Sequence, residues 1–145
     1  MFERILYPTD FSGVAGKALD YVKRLKASGA KEVIVLHVND ERGNDSVIRI
    51  LGENQFNKLN KIKMDEKEGK LKGVEKELVG AGLKVTLRVE TGMPVREILR
   101  IEDEENVSIT VIGSHGRSNL EEIFLGSVSE KVIRKSKNPV FVIKR

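Results

Sequence analysis

Residues 33–38 read Val33-Ile34-Val35-Leu36-His37-Val38, a nearly continuous run of β-branched and other apolar residues. Such a run is typical of a strand that is buried on both faces, because alternation with polar residues is expected where one face meets water. Strands of this kind occur mainly in parallel sheets that helices cover on both sides. The stretch therefore predicts a layered α/β fold.

The segments on either side of this strand alternate between strand and helix patterns. A short apolar run at 4–7 is stopped by Pro8, and a period-two alternation at 83–89 indicates a half-exposed strand near a sheet edge. Two more apolar runs predict strands at 107–112 and 139–143. Apolar residues at helical spacing predict helices between the strands, at 12–25, 44–81, from 94 to an acidic end at 102–105, and 126–136. Five strands alternating with four helices predict a doubly wound, five-stranded parallel sheet.

The region 44–81 is the most charged of the predicted helices. Three glycines weaken the helix prediction, namely Gly52, Gly69 and Gly73. The front part, 43–60, fits a loop or a broken helix. Its inner stripe is predicted to consist of Leu59, Ile62, Leu71, Val74 and Leu78. Charges of both signs are interleaved, as expected of a solvated face with pairs such as Glu66/Lys70 and Glu68/Lys72.

Length and composition narrow the class of protein. The 145 residues predict a single domain over 1–145, and the absence of Cys excludes disulfides, thiolate nucleophiles and Cys-based metal sites. No run approaches the roughly eighteen apolar residues of a membrane span. Residues 1–8 carry no features of a secretion or import signal, so we expect a cytoplasmic protein without a membrane partner.

The net charge of +4 raises the question of nucleic acid as a partner. The basic residues are not gathered in one stretch, and five Phe, two Tyr and no Trp supply little for base stacking. Nucleic acid is therefore disfavoured as a partner.

The stretch 113–129, which follows a predicted buried strand and leads into a helix, carries the most specific motif. Gly113 and Gly116 allow a sharp turn and a close approach to a ligand, and Gly126-Ser127 places free amides at a helix N-terminus, a ready site for phosphate. Ser127 and Glu130 also fit a capping box that would satisfy the same amides without a ligand. The pattern alone leaves both interpretations open.

The same stretch resembles the universal stress protein family, whose pattern is Gly, two residues, Gly, nine residues, Gly, then Ser or Thr. Here these residues are Gly113, Gly116, Gly126 and Ser127. The resemblance extends to the opening residues 5–12, to the second strand ending at Val38 and to the closing residues 139–144, so that both ends of the chain match. It implies a flavodoxin-like sheet of order 3-2-1-4-5 and membership of the ATP-binding branch of the family.

The resemblance also implies which residues bind ATP. Asp10 would contact the ribose or purine, the Val38 backbone would meet the adenine edge, and backbone amides near Gly126 would hold the phosphates. A Mg²⁺ or Mn²⁺ ion would accompany the triphosphate, held mainly by phosphate oxygens and water. The full predicted site is Pro8, Thr9, Asp10, Val38, Ile112, Gly113, Gly116, Arg117, Gly126, Ser127, Val128 and Ser129.

The last strand carries a partner signal. Val140-Phe141-Val142-Ile143 is apolar on both faces and lies at a sheet edge in this strand order, where exposed backbone invites pairing. The family resemblance implies a homodimer through this strand. The alternative is an edge shielded by the preceding helix and by flanking charges, namely Lys137, Lys144 and Arg145.

These observations predict a dimeric, ATP-binding sensor or regulator in stress response, with a further protein partner that the sequence does not identify. Two alternatives are a slow ATP hydrolase acting as a switch and a dimeric interaction module without a nucleotide. Catalysis has little support, since only Asp10 among the candidate acids lies near the predicted site. A phosphorylated receiver domain shares the fold, but Glu90-Thr91 stands where its phosphoacceptor Asp is expected. A nucleotidyl-transfer or adenine-nucleotide hydrolase enzyme is the remaining alternative.

Overall fold

The computed structural model describes residues 1–116 and 125–145, in which strands and helices alternate along the chain. The strands are β1 (Arg4–Pro8), β2 (Glu32–Asn39), β3 (Lys84–Thr91), β4 (Ile109–Gly113) and β5 (Val140–Ile143). The α-helices are α1 (Gly13–Leu25), α2 (Asn44–Leu51), α3 (Glu53–Gly80), α4 (Pro94–Glu104) and α5 (Ser127–Lys135). A 3₁₀ turn at Lys26–Ser28 extends α1.

The five strands form one parallel sheet of order β3-β2-β1-β4-β5, which confirms the predicted fold and strand order. The central strand β1 pairs with β2 on one side, where Ile5 lies opposite Val33, and with β4 on the other, where Ile5 lies opposite Ile109. The winding direction reverses between β1 and β4. A crevice is expected outside the carboxyl ends of these two strands.

Two hydrophobic cores sandwich the sheet because successive strand residues point to opposite faces. On one face, Ile5 and Val33 pack against α1 and the second half of α3. On the other, Leu6, Ile34 and Leu36 pack against α4 and α5. The sheet is therefore covered on both sides, as the apolar run at 33–38 predicts.

The inner stripe predicted for α3 is correct only in its second half. Leu71 and Leu78 are buried and Val74 packs on the core, whereas Leu59 and Ile62 remain 46% and 63% exposed. A helix of 28 residues extends about 42 Å, while an eight-residue strand spans about 26 Å. The first half of α3 therefore projects past the sheet and meets α2 instead.

Glycines act differently at different places in this region. Gly52, with a φ of +83°, separates α2 from α3, so the described residues contain five α-helices where four were predicted. Gly69 and Gly73 lie inside α3 without breaking it. The predicted pairs on the solvated face are present, with Lys70 Nζ 3.1 Å from Glu66 and Lys72 Nζ 3.5 Å from Glu68.

No helix in the described ranges, 1–116 and 125–145, combines the length and apolar character that crossing a membrane requires.

Tyr7 links β1 to α1 in the interior. Its ring is 1% exposed, and its hydroxyl donates a 2.6 Å hydrogen bond to the Ala15 carbonyl of the first turn of α1. Burial raises the pKa of Tyr7 to about 12, because the phenolate would lose its hydration there. Because the neutral phenol is favoured in the folded state, it contributes to the free energy of unfolding in full below pH 10. This contribution is lost as the pH rises from 10 to 12.

Replacing this phenol should change the alkaline stability of the fold. We expect Tyr7→Phe to lower the free energy of unfolding at pH 7 by about 1 kcal/mol through loss of the hydrogen bond. We also expect it to remove a decline of roughly 2–3 kcal/mol between pH 10 and 12. Urea unfolding at stepped pH would measure both effects. The control Tyr21→Phe removes an exposed hydroxyl and should retain the decline; equal alkaline profiles for Tyr7→Phe and the parent would contradict the assignment.

Candidate functional site

The turn that follows β1 is fixed by its own side chains. The Thr9 hydroxyl oxygen accepts from the Phe11 amide at 3.1 Å, and Asp10 Oδ1 accepts from the Ser12 amide at 2.9 Å. Ser12 is the N-cap of α1, its hydroxyl accepting from the Ala15 amide at 3.2 Å. Because Ser12 supplies the cap, the carboxylate of Asp10 faces the crevice rather than the helix end, with Oδ2 beside Gly116.

Phe11 adopts a left-handed backbone conformation, with a φ of +62°, which is strained for a bulky residue. Its ring lies 4.9 Å from the ring of His37, centroid to centroid. His37 is buried, and its Nδ1 lies 2.9 Å from the Thr9 carbonyl oxygen and so acts as the donor. His37 is thus a hydrogen-bonded residue of the core, and it anchors the turn to β2.

Ser114 joins the end of β4 to the start of α5. It is fully buried; its amide donates to the Ile143 carbonyl at 2.7 Å, and its carbonyl accepts from the Gly126 amide and the Ser129 hydroxyl, each at 2.6 Å. These bonds place the N-terminus of α5 at the carboxyl ends of β4 and β5. The Ser129 hydroxyl thus donates its proton to the Ser114 carbonyl and fixes α5 against the end of β4.

The start of α5 differs from the capping-box interpretation. Gly126, with extended backbone, is the N-cap, Ser127 is the first helical residue, and the helix has no side-chain cap. Glu130 forms an ion pair with Arg134 one turn further along. The capping box is therefore wrong, because its Ser would have to stand one position earlier. As the N-cap, Gly126 has no side chain that could accept from the amides at this end.

The motif glycines are required by packing rather than by a left-handed backbone, since none of Gly113, Gly116 and Gly126 has a positive φ. A Cβ on Gly113 would lie 2.8 Å from Val14 Cγ1, and one on Gly126 would lie 3.3 Å from the backbone of Ser114 and His115. A Cβ on Gly116 would approach Asp10 Oδ2 to 3.1 Å. The backbone at 113 and 126 thus packs closely on neighbouring residues, so valine at either position would disturb the fold whatever it did to a ligand.

The backbone of Val38 faces the crevice. The Leu36 carbonyl accepts from the Thr9 amide, and the Asn39 carbonyl accepts from the Gly92 amide beyond β3. Carbonyls alternate sides along a strand, so Val38 presents its backbone toward β1, which has already ended at Pro8.

All but one of the predicted site residues line a single cavity of about 220 Å³ at the carboxyl ends of β1 and β4. The exception, Arg117, lies outside the described residues. Sequence reasoning missed four further lining residues because they are of ordinary core type: Ala15, Leu36, Pro94 and Ile98. His115, in the loop after β4, also lines the cavity, although the sequence alone favours a solvated loop position for it. The cavity has an apolar end, formed by Leu36, Val38, Ile98 and Ile112, and a polar end at Asp10 and the N-terminus of α5.

A preformed metal cage is absent from the part of the chain that the structure describes, where no three His, Asp or Glu residues form a group that could hold a metal ion. Of the described residues that line the cavity, Asp10 is the one with a carboxylate. An ion in the cavity would therefore take most of its ligands from a bound molecule and from water.

Comparison with known proteins supports a family assignment. The model of the "Universal stress protein family" matches residues 1–144. The universal stress protein MJ0577 of Methanocaldococcus jannaschii is 45% identical over an alignment covering 100% of this chain and 96% of that protein. The universal stress protein YxiE of Bacillus subtilis is 32% identical, with 99% and 100% covered.

Solved structures agree with the sequence relatives. The structure of MJ0577 superposes with a TM-score of 0.87 at 46% identity, covering 100% of this chain and 97% of that one. A universal stress protein solved in complex with cAMP shares the fold with a TM-score of 0.65 at 24% identity, covering 99% and 97%. Sequence and fold agree over essentially the whole chain, and the chain belongs to the universal stress protein family.

Proposed function

We propose that this protein binds ATP in the cavity between the ends of β1 and β4 and acts as a nucleotide-dependent sensor or regulator. The observation that carries the proposal is the convergence of the described motif residues on one cavity that has an apolar end and a polar end. An adenine nucleotide has the same division into a flat, weakly polar base and an anionic tail. A universal stress protein of 24% identity was solved in complex with cAMP, which is consistent with an adenine ligand in this fold.

The apolar end suits the base. Leu36, Ile98 and Ile112 enclose it from β2, α4 and β4, and the open backbone of Val38 offers a donor and an acceptor at its edge. Backbone groups in fixed positions supply specificity in otherwise apolar pockets. Asp10, held by the Ser12 amide, is placed to accept from a ribose hydroxyl.

The polar end suits the phosphates. The N-terminus of α5 carries orphan amides and roughly half a positive charge, which favours an anion. The acidic residue in the first turn of α5, Glu130, is paired with Arg134, which reduces its repulsion of an anion at this end. A Mg²⁺ or Mn²⁺ ion would neutralise the phosphates there and be held mainly by their oxygens, with Asp10 within the same cavity.

Binding rather than turnover is the role these residues support. Asp10 already accepts from the Ser12 amide, and Glu90, the acid that ends β3, is paired with Arg88 and Arg100 two strands away from Asp10. The ion pairs of Glu90 and its distance from Asp10 make a receiver-type phosphotransfer site unfavourable. Slow hydrolysis of ATP that resets the bound state remains the enzymatic alternative.

We also propose that the active form is a homodimer joined through β5. This strand is at the edge of the sheet, and Phe141 is 41% exposed beside Tyr21, with 6.0 Å between ring centroids. The Pro139 and Ile143 carbonyls accept from Thr110 and Ser114 of the β4 side. By alternation the backbone groups of Val140 and Val142 point outward and are available to a second copy.

The nucleotide proposal is tested by a charge change at Ser127, an exposed residue in the first turn of α5. Ser127→Asp should stabilise the helix end, where a carboxylate is favourable, while repelling phosphates. We expect an ATP affinity at least about tenfold weaker in calorimetry, with an unchanged or higher melting temperature.

Ser127→Asn is the matched neutral control and should bind ATP within about threefold of the parent. Nucleotide released from denatured protein should be identified by mass spectrometry, with ATP, ADP, AMP and cAMP titrated afterwards. A parent that carries no nucleotide and binds none of the four would contradict the proposal and leave a dimeric interaction module.

The dimer is tested by removing one outward amide. Val142→Pro deletes the N–H that points away from β4, without touching a bond of the β4 ladder. We expect sedimentation equilibrium to give a dimer for the parent and for the control Val142→Ala, and a monomer of unchanged circular dichroism for Val142→Pro. A dimer that survives the proline would place the interface elsewhere.

A further inference from the structure

A second recess adjoins the cavity. It is an open groove of about 840 Å³ between the N-terminal half of α1 and the middle of α3. Gly116 lines both the cavity and the groove, so the two meet at this residue. A ligand whose anionic end passes Gly116 would enter the groove directly.

Cationic side chains dominate the groove. Lys63, Lys67 and Lys70 are spaced by four and three residues and so share one face of α3, and Lys17 faces them from α1. Arg145 adds a fifth cation, and Glu66 is the one carboxylate among the described lining residues. The groove therefore concentrates positive charge although the chain as a whole is only slightly basic.

Some of these cations are already used within the fold. Lys70 is paired with Glu66 at 3.1 Å and lies 5.7 Å from the centroid of the Phe11 ring. Lys67 donates to Asn39 Oδ1 at 3.2 Å. Lys17 and Lys63, by contrast, form no ion pair within residues 1–116 and 125–145. These two lysines have charge to offer to a ligand.

The groove is held open by the packing of its walls. α1 is fixed to the sheet by Val14, Ala18 and Val22, and α3 by Leu71, which lies next to Lys70 in sequence. The facing lysines repel one another, and the packing of α1 and of α3 at Leu71 resists the separation that would relieve that repulsion. An anion between them would remove it.

Phe11 defines what kind of anion fits. Its ring contacts His37 and has the Lys70 ammonium over it, so the ring is occupied and does not offer a stacking surface for a second base. The other lining residues are mainly charged or small. The groove thus suits a flexible chain of phosphates better than a second nucleoside.

We infer that the groove receives the distal phosphates of the nucleotide, so that Lys17 and Lys63 make affinity depend on the number of phosphates. This inference rests on the proposed nucleotide site and adds a selection rule to it. The base and the phosphates nearest the ribose bind in the cavity, and the distal end of the phosphate chain extends past Gly116 toward the lysines. The protein then distinguishes ATP from AMP by charge beyond the cavity.

The test compares AMP, ADP and ATP by calorimetry in the parent, in Lys17→Gln/Lys63→Gln and in a matched control. The control, Lys61→Gln/Lys76→Gln, removes the same charge from two exposed lysines of α3 that do not line the groove. In the parent we expect ATP to bind about tenfold more tightly than AMP, with the ratio falling as salt is added. The groove variant should reduce the ratio to about threefold or less with the AMP affinity unchanged.

Each other outcome has a distinct meaning. Equal affinities for AMP, ADP and ATP in the parent would overturn the inference and leave the nucleotide site standing. An equal loss in the Lys61→Gln/Lys76→Gln control would also overturn it, since net charge alone would then be responsible. No binding of any of the three nucleotides would overturn the proposed function itself.

Discussion

The fully buried Ser114 is the residue on which the site's geometry depends. Its amide binds the end of β5, and its carbonyl receives both the amide of Gly126 and the hydroxyl of Ser129. A buried carbonyl with two donors cannot give up either without a cost of about 1–3 kcal/mol. The N-terminus of α5 is thereby held at the ends of β4 and β5. The glycine at 126 follows from the close approach that this imposes, whereas Gly113 is required by its contact with Val14 of α1.

Much of the fold could be predicted from the sequence, because its strands carry an unambiguous pattern. The apolar run at 33–38 requires burial on both faces, and the alternation at 83–89 requires a half-covered edge strand, which β3 is. The front half of α3 could not be predicted, since Leu59 and Ile62 have helical spacing whether or not a sheet lies beneath them. Glu102 shows the same limit: it belongs to an acidic helix end, yet it is buried and accepts hydrogen bonds from Thr110 and Ser136.

The candidate site divides in the same way. Strand formation and core packing seldom call for a glycine or an acidic residue at the end of a strand. Asp10, Gly113 and Gly126 could therefore be identified from their position and residue type. The apolar lining could not, because Leu36 and Ile98 look like any other core residue. The lysine groove was also hidden: Lys63, Lys67 and Lys70 appear as part of an evenly mixed charged helix, and only the packing of α1 beside α3 brings Lys17 to the same space.

The projecting helical pair also bears on how the molecule opens. α2 buries no residue and α3 buries only Leu71 and Leu78, so 44–66 is held mainly by contact between two helices. Regions with few buried contacts open at low free energy, whereas central strands open only with the whole domain. Amide hydrogens of 44–66 should therefore exchange with solvent long before those of β1 and β2, and a protease should cut there first. Lys63 lies in that easily opened segment, whereas Leu71 anchors the part of α3 that remains.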